Sequence, residues 1–471
     1  MASTLAEIGL IGLGTMGAAL ALNIAEKGFP IAVFNRTTEV TRRFHAEAGA
    51  LAANVIPTES LADLVASLKS PRAIILMVPA GQAVDDQIAA LAPLLDKDDL
   101  IIDAGNANFH DTNRRAAAGL PMRFLGLGVS GGEEGARHGP SIMGGGLKAD
   151  WDRVSHILEA ISARYQDIPC ATWMGEAGAG HFVKAVHNGI EYADMQMIAE
   201  IYGILRDGLG HSAGDIGALF AAWNEGVLRS YLVEISAAVS KATDPATGQP
   251  MLDVILDSAG QKGTGRWTAI EAQHLATPVP VIEAAVMARN VSARLDERKA
   301  GEARFGAAPK RLGGTDAPSA ATLEQAMIAG KILCYAQGFA MISAASDSFG
   351  WSLPLPEIAR VWRAGCIIRS DMLNDMASAL TENPGRNLIL APDFAARLEA
   401  TIPALRQVVA LGALNGLPVP ALASGLAWFD LMRTARGTAN MIQAQRDFFG
   451  AHGFDRLDGR DIHHGPWGAG A

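Results

Sequence analysis

The chain has 471 residues, of which 49% are hydrophobic and 19% charged, and a formal net charge of −10. That length exceeds what one hydrophobic core usually serves, so two or more domains are expected, and the composition excludes a disordered chain. The acidic balance argues against a nucleic-acid partner but leaves room for a local cationic pocket around a small anion.

An apolar run from Ile8 to Ala25 opens the chain. It has no basic segment ahead of it, carries Glu7 at its start and is punctuated by Gly9, Gly12, Gly14 and Gly17, so it does not read as a signal peptide. No other uninterrupted apolar stretch long enough to span a membrane is expected, and hence no membrane partner. Cys170, Cys334 and Cys366 are widely spaced, odd in number and match no metal pattern. They fit a reduced, cytoplasmic protein without a metal.

Residues 1–178 alternate β-branched runs with helical segments. Strands are predicted at 8–13, 31–35, 73–78, 100–103 and 123–129, each continuously hydrophobic, as in a parallel sheet covered on both faces. The fold class is therefore an N-terminal Rossmann-type, doubly wound α/β domain. Gly12-Leu13-Gly14-Thr15-Met16-Gly17 completes a G-x-G-x-x-G directly after the first strand and at the start of a helix predicted over Met16–Lys27. Gly12 permits the tight turn, Gly14 lets a pyrophosphate approach the backbone, and Gly17 lets helix and strand pack closely. The anion rests on the helix N-terminus. At the end of the second strand stand Asn35, Arg36 and Thr37, where an NAD site would carry Asp or Glu. An amide, a guanidinium and a hydroxyl suit a 2′-phosphate, which favours NADP. Two later loops, Asp103–Asn106 and Val129–Gly135, sit where parallel strands open into a cleft. Ser130-Gly131-Gly132 offers backbone N–H groups beside a hydroxyl, a cradle suited to a carboxylate.

Beyond Gly178 the strand pattern ends, and residues 179–440 read as a large all-α domain followed by a C-terminal tail, 441–471. Helices are predicted at 179–207, 213–241, 279–300, 318–349, 356–380, 390–411 and 418–436. The first contains GHFVKAVHNGIE (180–191), whose Lys184, His187, Asn188 and Glu191 fall within roughly 60° of one another on a helix. Lys184 and Glu191 are two turns, ~10 Å, apart along the axis, a spacing suited to proton transfer at two ends of a small molecule. A solvated charged face is the bland alternative. Lys262 between glycines, Arg289 amid apolar neighbours, and Arg446 ahead of His452 add scattered cations that point to a phosphorylated substrate.

With these motifs in view, the chain resembles the decarboxylating 6-phosphogluconate dehydrogenases nearly end to end. The resemblance rests on NRT (35–37), AGQAVDD (80–86), VSGGEEGA (129–136), GAGHFVKAVHNGIEY (178–192), DSAGQKGTGRWT (257–268), GCIIRS (365–370) and QRDFFGAH (445–452). It implies oxidation of 6-phosphogluconate at C3 by NADP, loss of CO2 and formation of ribulose 5-phosphate, with Lys184 as general base then acid and Glu191 as the final acid. It also implies that Val78, Pro79, Ala80 and Asn106 face the cofactor. Asn106, Ser130, Gly131, Gly132, His187 and Asn188 would hold the carboxylate end, and Tyr192, Lys262 and Arg289 the phosphate. Arg446 and His452 would arrive from the partner subunit of a homodimer. The sequence departs from the family pattern at Pro79, where a lysine is common, at Ala104 and Ala107, and at Met143-Gly144-Gly145. A non-decarboxylating β-hydroxyacid dehydrogenase shares the fold and a helix lysine; Glu191, Lys262 and the tail argue against it.

Overall fold

A computed structural model describes residues 5–261, 263–307, 311–312 and 317–467. Strands β1 (Ile8–Ile11), β2 (Ile31–Phe34), β3 (Val55–Pro57), β4 (Ala73–Leu76), β5 (Leu100–Asp103), β6 (Arg123–Val129) and β7 (Ile142–Gly146) come in turn. β8 (Arg164–Tyr165) and β9 (Ile168–Pro169) pair only with each other, and β10 (Ala171–Gly175) returns to the main sheet. The eight-stranded order is β10-β7-β6-β5-β4-β1-β2-β3. Alternate residues explain the hydrophobic runs. Leu10, Val33, Ile75 and Ile102 enter one buried cluster, whereas Ala32, Ile74, Leu76 and Ile101 enter a second on the opposite face. With both faces covered, neither phase of the strand is polar. The strand order reverses between β1 and β4, so the loop after β1 opens at the switch point of the sheet, where such folds bind ligands.

The structure departs from the sequence expectation in several places, including an unpredicted strand at Val55–Pro57 and an unpredicted helix at Thr264–His274. In the sheet, β7 pairs antiparallel with β6, and β10 runs with β7, so the sheet is mixed rather than wholly parallel. β7 reads IMGGG and carries no β-branched run because its neighbours leave no room for side chains. A Cβ on Gly144 would meet the Trp151 ring at 2.3 Å, and one on Gly145 would meet the Gly180 nitrogen at 2.5 Å. In addition, three long predicted helices are broken. The segment 213–241 forms Ala213–Trp223 and Tyr231–Lys241, 279–300 forms Pro280–Ser292 and Leu295–Phe305, and 356–380 forms Leu355–Val361 and Met372–Glu382.

The helical half is organised around two long central helices, Ala179–Gly203 and Ala320–Phe349, which pack on each other and share one buried cluster with the surrounding helices. The second corrects the expectation that no further stretch could cross a membrane. It is long enough and has a mean hydropathy of 1.3, yet 89% of that window is buried inside the protein. Its middle residue Lys331 is fully buried and bonds Asp194 at 2.7 Å and the Ser230 hydroxyl at 3.2 Å. The helix is a core element of this fold.

Candidate active site

Lys184 sits on the Ala179–Gly203 helix, which lies across β6 and β7. The approach is close because the strand offers glycine at the crossing. A Cβ on Gly128 would stand 2.4 Å from the Lys184 Cβ. This helix is buried nearly all round: His187 is 0% exposed, Lys184 6% and Asn188 7%, so the solvated-face alternative does not hold. The Lys184 Nζ donates to Ser130 Oγ at 2.8 Å and lies 3.4 Å from His187 Nδ1. Ser130 Oγ lies 3.2 Å from His187 Nε2, and His187 Nδ1 lies 3.0 Å from the Asn188 amide oxygen. One turn on, Glu191 Oε2 is 3.9 Å from His187 Nδ1.

Burial sets the protonation of this cluster. It pulls the Lys184 ammonium down to about 8, against the attraction of Glu191. It holds the His187 imidazole far below its ordinary value, with Lys184 adding to the effect. It pushes the Glu191 carboxyl up, although Lys184 and Arg289 oppose the shift. An amine able to lose its proton near neutrality and a carboxyl inclined to keep one thus share one helix face.

Around them, Gly131 and Gly132 both have positive φ, and a Cβ on Gly131 would meet the Gly365 carbonyl at 2.6 Å. Tyr192 is buried, with the Arg289 guanidinium 3.5 Å above its ring. Arg289 also donates to the Gly260 carbonyl; Lys262 lies outside the described residues. Arg446 and His452 are exposed. Arg446 bonds Gln443 and His452 packs edge-on to Phe449, so within one chain their contacts stay in the tail.

At the sheet's switch point, Gly12 has φ +101, and a Cβ there would strike the Met77 carbonyl at 2.4 Å. A Cβ on Gly17 would strike the Gly12 carbonyl at 1.9 Å, whereas one on Gly14 would meet nothing within 4 Å. The helix beginning at Thr15, with Met16 in its first turn, runs to Glu26, and Gly14 is its N-cap. The loop is therefore closed at its ends and open over its middle. Asn35 faces inward: its side-chain oxygen accepts from the Leu13 nitrogen at 3.1 Å. Arg36 and Thr37 are exposed, and Arg36 has no ion pair among the described residues. Val78 is half-buried, and Pro79, Ala80 and Asn106 are exposed around the same opening.

Several residues of this region escaped the sequence reading. Thr264 accepts from the Asn188 amide at 2.9 Å, and Trp362 stands edge-on to His187 at 5.7 Å. Cys366 donates to the Trp362 carbonyl, and burial pushes its thiol up to about 12, which keeps it uncharged beside Lys184. Arg115, almost fully buried, bonds Asp85, the Gly81 carbonyl and Asp103, and so ties together the loops that carry Ala80 and Asn106. Gly365, a chain-breaking residue inside the helix predicted at 356–380, is the sequence signal for the Trp362–Cys366 segment, and in the structure it has a positive φ.

The NAD binding domain of 6-phosphogluconate dehydrogenase matches residues 7–175, and the 6-phosphogluconate dehydrogenase C-terminal domain matches residues 180–467. The chain is 48% identical over 465 residues to the NADP(+)-dependent, decarboxylating 6-phosphogluconate dehydrogenase of Bacillus subtilis, covering 98% of this chain and 99% of that one. An NAD(+)-dependent enzyme of the same organism is 44% identical, over 98% and 99% of the two chains. A solved Plasmodium falciparum 6-phosphogluconate dehydrogenase, described apo, with NADP+ and with 6-phosphogluconate, superimposes with a TM-score of 0.94 at 39% identity, covering 98% of this chain and 100% of that one. The chain belongs to the 6-phosphogluconate dehydrogenase family.

Proposed function

We propose that the protein oxidatively decarboxylates 6-phosphogluconate to ribulose 5-phosphate and CO2 with NADP as coenzyme, in the oxidative pentose phosphate pathway. The observation that carries the reading is the buried Lys184 amine, poised near neutrality against Ser130 and His187, with the Glu191 carboxyl further along the same helix. The backbone opening over Gly14 and the exposed Arg36, without an ion pair among the described residues, fit a dinucleotide bearing a 2′-phosphate. NADP, when bound, supplies the acceptor for the hydride that leaves C3.

Neutral Lys184 takes the C3 hydroxyl proton as that hydride departs, leaving a 3-keto acid. The resulting ammonium donates to the new carbonyl oxygen and draws in the electron pair of the C1–C2 bond, so that CO2 leaves and an enediol remains. Glu191 then protonates the carbon that lost CO2, while the enol proton returns to Lys184. Ser130, Gly131, Gly132, Asn106, His187 and Asn188 orient the carboxylate end. Tyr192, Arg289 and Lys262 hold the phosphate, joined by Arg446 and His452 of a second subunit. A homodimer is supported by the tail, which folds on itself around the buried Asp447 yet leaves Met441, Ile442, Phe448 and Phe449 exposed. The free, buried cysteines suit a cytoplasmic setting.

Mixing the full chain with 6-phosphogluconate and NADP should give NADPH absorbance at 340 nm and CO2 in equal amounts. NADPH without CO2 would establish the non-decarboxylating hydroxyacid dehydrogenase instead.

A further inference from the structure

Away from the Lys184 cluster, the two halves of the chain meet at a group of side chains that the proposed chemistry does not use. His110 stands in the first turn of the Phe109–Ala117 helix, which follows the Asn106 loop. Glu271 and His274 lie three residues apart on the Thr264–His274 helix, hence on one face. His110 Nε2 is 2.7 Å from Glu271 Oε2, and His274 Nδ1 is 3.2 Å from the same oxygen. One donor atom from each of the three residues lies within 4.8 Å of the others.

We propose that His110, Glu271 and His274 bind a divalent transition-metal cation of the Zn2+ type, cross-linking the dinucleotide-binding half to the helical half. Glu271 is buried, and among the described residues its carboxylate has no side-chain or backbone donor except the two imidazoles. A buried carboxylate is costly without a compensating charge, and neither partner carries a permanent one. Bonds of 2.0–2.1 Å around a tetrahedral ion place ligand atoms ~3.3 Å apart, so the two Glu271 separations need shifts below ~1 Å and the widest pair needs to close by at most ~1.5 Å. His110 lies against Phe109 with ring centroids 4.0 Å apart, which limits its rotation, while the outer sides of His110 and His274 are exposed and leave an entry path. Two imidazoles and one carboxylate favour Zn2+, Co2+ or Ni2+ over Mg2+ or Ca2+, and three protein ligands leave a fourth position for water. This inference is independent of the proposed reaction.

The test is equilibrium dialysis of the full chain, stripped with chelator, against Zn2+ alone, with metal and protein quantified. One ion per chain is expected, together with a rise in Tm that grows with Zn2+ concentration, since a ligand of the folded state stabilises it by mass action. Loss of an outer partner costs a metal site roughly 10–100-fold in affinity. His110→Ala and His274→Ala, each removing a direct ligand, should therefore each weaken binding at least that much, while chelator-treated activity stays at the wild-type level and certifies the fold. No bound Zn2+, or Zn2+ that persists in either variant, would overturn the site and leave the three residues as an ordinary bridge between domains.

Discussion

A buried amine that must accept a proton is useful only over the pH range in which it is neutral. Because burial lowers Lys184 to about 8, kcat/KM for 6-phosphogluconate should rise about tenfold per pH unit below that value and level off above it. A profile flat from pH 6 to 9 would remove Lys184 from the base role. Lys184→Met should cost at least ~10²-fold in turnover, because one proton-transfer group contributes that much, while NADP binding persists. At the coenzyme end, the Asn35 side-chain oxygen is committed to the Leu13 nitrogen, and the exposed Arg36 guanidinium is the proposed contact for a 2′-phosphate. A charge-assisted hydrogen bond is worth ~1.5–3 kcal/mol, so Arg36→Ala should weaken NADP roughly ten- to a hundredfold and barely change NAD. Equal losses for both coenzymes, read by fluorescence titration, would make Arg36 a fold residue. The row Lys184, His187, Asn188 and Glu191 was legible because helical period alone aligns it. Thr264 and Cys366 were not, because they reach the row from 76 and 182 positions beyond Asn188 and Lys184, a distance only the fold closes.

At the scale of elements, strands buried on both faces announced themselves by unbroken apolar runs, and the glycine loop by its place after β1. β7 did not, because a strand of glycines carries no hydrophobic signal; its residues are selected by the Trp151 ring and the Gly180 backbone that press on them. The Ala320–Phe349 helix hides a different device. Lys331 and Asp194 join it to the Lys184 helix through an ion pair with both side chains almost fully shielded from solvent. Removing one partner of such a pair leaves a buried charge and typically costs ~3–5 kcal/mol, whereas replacing both with apolar groups is often neutral. Lys331→Met should therefore lower Tm clearly, and adding Asp194→Leu should recover much of the loss. If the double variant is as unstable as the sum of the singles, the pair is not the coupling between the two helices. Because Asp194 lies on the same helix as Glu191, Lys331→Met should also reduce turnover more than it changes the KM for NADP.

For the whole molecule, the tail decides whether an active site is built from one chain or two. Among the described residues the Arg446 side chain hydrogen-bonds Gln443 of its own helix, and Met441, Ile442, Phe448 and Phe449 around it are exposed. If the tail reaches a second subunit, each active site combines Lys184 of one chain with Arg446 of the other. Homodimers of Lys184→Met and of Arg446→Ala should then both be nearly inactive. In a mixed dimer one site carries both lesions, and the other has an intact Lys184 from the second chain and an intact Arg446 from the first. Random two-fold pairing makes about half the dimers mixed, so roughly a quarter of all sites should recover. Unfolding, mixing and refolding the two variants, with mixed dimers verified by mass spectrometry, reads this directly as NADPH formation. A tail that folds back onto its own subunit leaves one lesion at every site, and activity would stay at the level of the separate variants.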